Sequence, residues 1–247
     1  MKTKVVGVIP ARFGSTRFPG KPLFKIAGKP MIEWVILATQ TAKRLNQVVV
    51  ATDNEEIADV ANKLGVMVVM TDSYLPSGSD RVWAAVKELE CEIVVNIQGD
   101  EPLLQGAMID LLVHGFQATN NEMGTLVKEL EKADLHNLNV VKAILNHKNE
   151  AIYFSRMPIP YTRIESPSKI EACWQHLGLY AYKKSFLKKF CETAPVLIEQ
   201  GESLEQLRAL WLGAKIQTVI IDQQSGFKCI GVDTPEDVKK VEPFLKR

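Results

Sequence analysis

Disulfide and zinc chemistry have little to build on in this chain. Its four cysteines, Cys91, Cys173, Cys191 and Cys229, are scattered, and no two of them form a Cys-x-x-Cys pair. Neither a zinc site nor a disulfide framework is suggested, and a reducing cytoplasm fits best. A charge bias is missing too. Thirty Lys and Arg against twenty-nine Asp and Glu leave a formal net charge of +1, so any affinity for anions must be local, with no general pull toward nucleic acid or an anionic membrane. The aromatic residues do not interleave with basic runs. No apolar run approaches the ~20 residues of a membrane span, and the amino-terminal apolar segment stops at Pro10 and Arg12, short of a signal-peptide core. Repeats, low-complexity tracts and Gly/Ser linkers are likewise absent. A soluble, unprocessed, cytoplasmic protein without nucleic-acid or membrane partners is expected. Its 247 residues suit one large α/β domain, or one domain carrying an inserted arm.

What is present begins at the amino terminus. Lys4-Val5-Val6-Gly7-Val8-Ile9 is β-branched enough to be a buried strand, and the stretch Ile9 to Leu23 leaves its carboxyl end, where open parallel α/β sheets bind ligands. Arg12, Arg17 and Lys21 stand there among Gly14, Gly20 and three prolines. Such a stiff loop brings backbone amides and fixed positive charge close to phosphate oxygens, so it reads as a polyphosphate grip. The plainer alternative is a surface turn with solvated charges. A Walker A loop is excluded, because five residues separate Gly14 from Gly20 and Lys21 is followed by Pro22 instead of Ser or Thr. No Gly-x-Gly-x-x-Gly occurs, which excludes the dinucleotide fingerprint.

Further along, apolar spacing predicts a helix from Pro30 to near Arg44, a strand at Gln47–Ala51, and a helix capped by Asp53 and stopped by Gly65. A third strand follows over Val66–Met70, then a helix to Leu89 with Ser79 as its cap, and a fourth strand over Ile93–Ile97. This βαβαβ beginning implies right-handed crossovers and a parallel sheet. From about Met123 the pattern loosens, and the middle part reads as an insertion over the sheet edge, with strands near Val140–Leu145, Ile152–Phe154 and Leu177–Tyr182. Ser203 reads as the cap of a helix with Leu204, Leu207 and Trp211 inward; Lys215–Ile221 is a last strand, and Thr234 caps a final helix with Pro235 at its first position.

Asp100, in Gln98-Gly99-Asp100-Glu101-Pro102, and Asp233 each stand just beyond an apolar stretch without an adjacent opposite charge in sequence. Two such carboxylates near a cationic loop suit Mg²⁺, a hard ion that keeps several waters and takes one or two protein carboxylates. Asp233, before Thr-Pro-Glu, reads equally as a turn residue. Ser77-Gly78-Ser79-Asp80-Arg81 offers free helix-start amides to a base or phosphate, or is an ordinary cap. His176, with Arg156, Glu205 and Gln206, suggests a pocket for a polyhydroxylated carboxylate gripped by an arginine fork, although a lone histidine is more often structural. His114, His136 and His147 lack such company.

Together these stretches resemble the 3-deoxy-manno-octulosonate (Kdo) cytidylyltransferases, the CMP-Kdo synthetases, over essentially the whole length. The resemblance is carried by Ile9-Pro10-Ala11-Arg12, Phe18-Pro19-Gly20-Lys21-Pro22-Leu23, Ala51-Thr52-Asp53, Ser77-Gly78, Asn96 to Pro102, Phe154-Ser155-Arg156, His176-Leu177-Gly178, Leu204 to Arg208 and Gly231 to Asp237. It implies a three-layer α/β/α nucleotidyltransferase fold, Rossmann-like and of the nucleotide-diphospho-sugar transferase kind, in one domain over 1–247 with an inserted dimerisation and sugar-pocket arm at about 151–182. It also implies a homodimer, Mg²⁺, and transfer of CMP from CTP to Kdo with release of pyrophosphate, serving lipopolysaccharide biosynthesis. By the same resemblance Arg12, Lys21, Asp100 and Asp233 are catalytic, and Asp100 and Asp233 carry the metal. Arg12, Arg17, Lys21, Thr52, Ser77, Gly78, Arg81 and Asp100 hold the nucleotide, while Gln98, Arg156, His176, Tyr180, Glu205 and Gln206 surround the sugar. The rivals are a cytidylyltransferase for a related acid such as 8-amino-Kdo and an inactive nucleotide-binding regulator. The second should have lost a metal carboxylate, and both remain.

Overall fold

In the computed structural model, which describes residues 3–14, 18–161 and 173–246, the first strand, β1 (Val5–Ala11), is buried along almost its whole length. Val5 and Ile9 face one core and Val6 and Val8 the other, the period of two that a strand covered on both faces requires. β2 (Gln47–Thr52), β3 (Met67–Met70) and β4 (Ile93–Asn96) run parallel to it, with β1 between β4 and β2. The expected first and fourth strands are therefore neighbours, and Ala11, Thr52 and Asn96 share one carboxyl edge.

The rest of the sheet is built from β5 (Met123–Glu129), β6 (Lys142–Leu145), β7 (Ala151–Ser155), β8 (Trp174–Lys183) and β9 (Ile216–Ile221), in the order β9-β5-β8-β4-β1-β2-β3 with the β6–β7 hairpin branching from β8. The sheet is mixed, not wholly parallel, because β8 runs antiparallel to both β4 and β5. This changes the picture of 151–182 as an arm over the sheet edge. Leu177, Leu179 and Ala181 fill one core and Tyr182 the other, and a strand buried on both faces belongs in the sheet interior. Among the described strands of this sheet only the β6–β7 hairpin stands off the main path; residues 162–172 of the expected arm lie outside the described residues.

Helices α1 (Met31–Gln40), α2 (Glu55–Lys63) and α4 (Gly106–Gln117) cover one face, while α3 (Gly78–Val86), α5 (Lys184–Glu192), α6 (Leu197–Glu202) and α7 (Gln206–Trp211) lie toward the other. The result is the expected three-layer α/β/α arrangement. Helix α8 (Pro235–Leu245) closes a small third core with Phe18, Ile26, Met31, Leu103 and Val232. None of the helices among the described residues is long and apolar enough to cross a membrane, and all four cysteines are free.

Several helix ends differ from expectation for local reasons. Asn54, not Asp53, caps α2 through its Oδ1 and the Ile57 amide, because the Asp53 carboxylate is engaged elsewhere. Ser77, not Ser79, caps α3, its Oγ accepting from the Asp80 amide, and that helix stops at Val86. Helix α1 stops at Gln40, since the amides of Lys43 and Arg44 turn to the Asp110 carboxylate. Ser203 ends α6 in the left-handed region instead of starting a helix, so α7 begins at Gln206. That phase buries Gln206 and leaves Trp211 63% exposed. Thr234 caps α8 with Pro235 at its first turn, as expected.

Candidate active site

Three segments remote in sequence meet at the carboxyl edge of β1. Gly20 takes a left-handed φ of +68° and its amide donates to the Phe13 carbonyl at 3.2 Å, closing the loop that follows β1; a side-chain-bearing residue would be strained there. Lys21 comes next. Its Nζ donates to Asp100 Oδ2 at 2.6 Å and to the Val232 carbonyl at 2.9 Å, and lies 3.5 Å from Asp233 Oδ1. Asp100 reaches this point because Gly99 lacks a side chain: a Cβ there would sit 2.9 Å from the Pro10 carbonyl. The Val232 amide donates in turn to the Asp100 carbonyl at 2.9 Å, tying the segment before α8 to the end of the β4 loop. The cation that the sequence leaves distant from Asp100 and Asp233 thus stands between them.

A cavity of about 360 Å³ opens at this junction. Arg12, Lys21, Ser77, Gly78 and Arg81 line it, and so do Gln98, Asp100, Glu205 and Asp233. Arg81 is almost fully buried and pairs with Asp53 at 3.1 Å. Thr52 does not line the cavity; it is buried, its Oγ1 accepting from the Asn54 amide. Arg17 lies outside the described residues. Glu205, expected beside the sugar, faces this first cavity, where it accepts from Ser79 Oγ at 2.7 Å and burial raises its carboxyl above the usual range.

A second cavity of about 620 Å³ adjoins the first, with Asp233 on the wall of both. His176, Tyr180 and Gln206 line it. The Tyr180 hydroxyl donates to Gln206 Oε1 at 3.3 Å, and burial, helped by Glu205, raises its phenol. Gln206 Nε2 and Gln175 Oε1 are buried without partners. His176 packs edge-on against Phe154, its Nε2 3.0 Å from the Thr125 hydroxyl, and burial lowers its pKa to about 3. It is a neutral imidazole at physiological pH. The sign for stability follows: the unfolded state takes up a proton near pH 6.5 that the native state refuses, so stability is lost as pH falls from there toward 3. Between about pH 7 and about pH 4.5 the wild type should lose about 2 to 3 kcal/mol more than His176→Gln, read from urea midpoints. Equal losses would place the imidazole in contact with water.

Arg156 reaches neither cavity wall. Its guanidinium donates to the carbonyls of Glu202 at 2.8 Å, Leu138 at 3.0 Å and Ser203 at 3.4 Å, so the expected carboxylate fork is replaced by a clamp on the 137–140 segment. Buried Lys142 completes the clamp, donating to the carbonyls of Asn137, Val140 and Arg156. Asn137, Asn139 and Val140 of that segment do line the second cavity. Glu101 follows Asp100 directly in sequence and carries no local signal of its own. It touches both Gly231 and the second cavity, and burial, then Asp100 and Asp233, push its carboxyl up to about 8.

Comparison with known proteins gives a consistent set of relatives. A cytidylyltransferase family model matches residues 6–216. The 3-deoxy-manno-octulosonate cytidylyltransferase of Bdellovibrio bacteriovorus is 51% identical over 245 residues, covering 98% of each chain, and that of Thermodesulfovibrio yellowstonii is 42% identical over 250 residues, covering 96% of each. Among solved structures, a CMP:2-keto-3-deoxy-manno-octonic acid synthetase complexed with CTP superposes with a TM-score of 0.91 at 35% identity, over 98% of both chains.

Proposed function

The chain belongs to the cytidylyltransferase family, among its 3-deoxy-manno-octulosonate enzymes, and from that premise we propose that it joins CMP to Kdo where the two adjoining cavities around Asp233 meet. It is a nucleotidyltransferase that takes CMP from CTP, passes it to Kdo and releases pyrophosphate, activating Kdo for lipopolysaccharide biosynthesis. The observation that carries the site assignment is the sharing of Asp233 by both cavities, with Asp100 and Lys21 beside it. The nucleotide occupies the smaller cavity, its phosphates facing Arg12, Lys21 and Arg81. The sugar acid occupies the larger one against His176, Tyr180 and Gln206.

Attack by the anomeric hydroxyl on the α phosphorus, in line with departing pyrophosphate, needs positioning and charge neutralisation more than a protein nucleophile. Arg12 and Lys21 hold phosphate charge. Neutral His176 and the Tyr180–Gln206 pair fix the sugar by hydrogen bonds. Enzymes of this kind generally depend on a divalent metal, and the convergence of Asp100 and Asp233 on one cation fits that need. We assign Mg²⁺ to these two carboxylates, where it would supply charge neutralisation at the α phosphate and a lowered pKa for the sugar hydroxyl.

Pyrophosphate release from CTP with Mg²⁺ tests this reading against a panel of Kdo, 8-amino-Kdo and a sialic acid. Kdo should be the preferred acceptor and CTP the preferred nucleotide; equal or faster turnover with UTP would overturn it. The reading includes a cytoplasmic homodimer. Ile152 on β7 and Trp211 on the adjoining α7 are each more than half exposed, as apolar residues at an interface between copies are. Sedimentation at micromolar concentration should give a dimer, and monomer alone would count against it.

A further inference from the structure

Asp53 looks in sequence like a helix cap, yet the structure gives that task to Asn54 and turns the Asp53 carboxylate to Phe13 and Arg81. One oxygen, Oδ1, accepts from the backbone amide of Phe13 at 3.0 Å. The other, Oδ2, accepts from Arg81 Nη2 at 3.1 Å. The side chains of Asp53 and Arg81 are 10% and 2% exposed, so this is a desolvated, charge-assisted contact, of the stronger kind. Arg81 is held from its other side by Thr71 Oγ1, which itself donates to the Thr52 carbonyl.

The Phe13 contact matters because of what Phe13 adjoins. Its amide follows Arg12, and its carbonyl accepts the Gly20 amide that precedes Lys21. Both loop cations of the nucleotide cavity therefore stand one residue from a hydrogen-bonded pair that Asp53 anchors. Phe13 itself is 41% exposed, so packing does little to fix the loop at that point. We propose that Asp53 is a positioning residue for the nucleotide, setting the loop that carries Arg12 and Lys21 in register with Arg81 on α3. The inference deepens the proposed function and rests on that reading of the cavity.

Asn at this position tests the geometry sharply. Phe13 and Arg81 meet different oxygens, so with the side chain in place Asp53→Asn accepts from one of them and turns an NH2 donor to the other, at nearly unchanged volume. Equilibrium dialysis of CTP, without sugar, should show affinity weakened by about tenfold in Asp53→Asn and further in Asp53→Ala. In turnover, KM for CTP should rise in parallel while KM for the sugar acid stays within about twofold, a split that general loss of structure would not give. A plain charge-screening role predicts the reverse, since releasing Arg81 from its carboxylate would tighten polyphosphate binding. Tighter or unchanged CTP binding in Asp53→Asn, or equal weakening toward both substrates, would overturn the proposal. Should Asp53→Ala fail to fold, Asp53→Asn alone decides. Wild type that releases no pyrophosphate from CTP would refute the functional reading instead, and the two failures are separate.

Discussion

Asp100→Asn and Asp233→Asn should each reduce turnover by about a hundredfold to ten-thousandfold, equivalent to about 3 to 5 kcal/mol of transition-state stabilisation. The amide keeps the size of the side chain and removes the charge that, on the proposed assignment, would hold a hard cation. The two losses should be far from additive, because either one already destroys the shared geometry. Stability separates the residues. Asp100 sits 2.6 Å from Lys21 Nζ, so its loss leaves a largely buried ammonium short of one charged partner and should lower stability by about 1 kcal/mol, whereas Asp233, 52% exposed and 3.5 Å away, should change it by less than about 0.5 kcal/mol. Two carboxylates facing one site repel each other when no cation lies between them. Lys21 between them removes that repulsion. Turnover and urea denaturation of both single variants and the double check each statement; near-normal turnover in Asp233→Asn would make it only the residue before its Thr234 cap.

Why the meeting of Lys21, Asp100 and Asp233 is legible in sequence, and the partners of Asp53, Glu101 and Arg156 are not, has a physical cause. β-branched runs fix buried parallel strands, and ligands gather at their carboxyl ends; Lys21 and Asp100 each follow such a run. Glycines announce close approach, as at Gly99. Asp53 stands one residue before the true cap, and an Asp next to an Asn at a helix start offers two equal candidates. Which is used depends on the Phe13 amide and Arg81, 40 and 28 residues away.

Arg156 shows the complementary limit. Its position after a strand and in a family motif suggested a ligand grip, but the carbonyls that take up its guanidinium come from the 138 and 202–203 segments, and carbonyl groups leave no mark in sequence. The same holds for Lys142, whose charge is held by three carbonyls. The antiparallel setting of β8 was hidden for a related reason: alternation of Leu177, Leu179 and Ala181 with Tyr180 and Tyr182 reports a strand but not its direction, and the loose pattern around it read as an insertion. Two cations thus shape the wall of the second cavity without lining it.

Glu199→Ala should destabilise the protein by about 3 to 5 kcal/mol, the largest stability effect expected from a single change here. Glu199 and Arg208 are almost fully buried and meet in a two-point contact, Arg208 Nε donating to Glu199 Oε2 at 2.8 Å and Nη2 to Oε1. Arg208 Nη1 also donates to the carbonyls of Phe190 and Thr193, and its guanidinium lies over the Phe190 ring. Helices α5, α6 and α7 are joined at this one cation. Removing Glu199 leaves it desolvated without a counter-charge in contact, which is far worse than removing both partners. The double variant Glu199→Leu/Arg208→Met should therefore recover at least half of the loss, measured by urea denaturation. A Glu199→Ala cost below about 1 kcal/mol would mean that Arg208 is sufficiently held by the two carbonyls and the ring alone. The pair also bears on the proposed site, because α7 starts at Gln206 and follows directly on Glu205, which line the second and the first cavity respectively. If the ion pair orients α7 as well as stabilising it, the refolded double variant should bind both substrates more weakly despite its recovered stability. Unchanged affinities in that variant would confine Glu199 and Arg208 to holding the helices together.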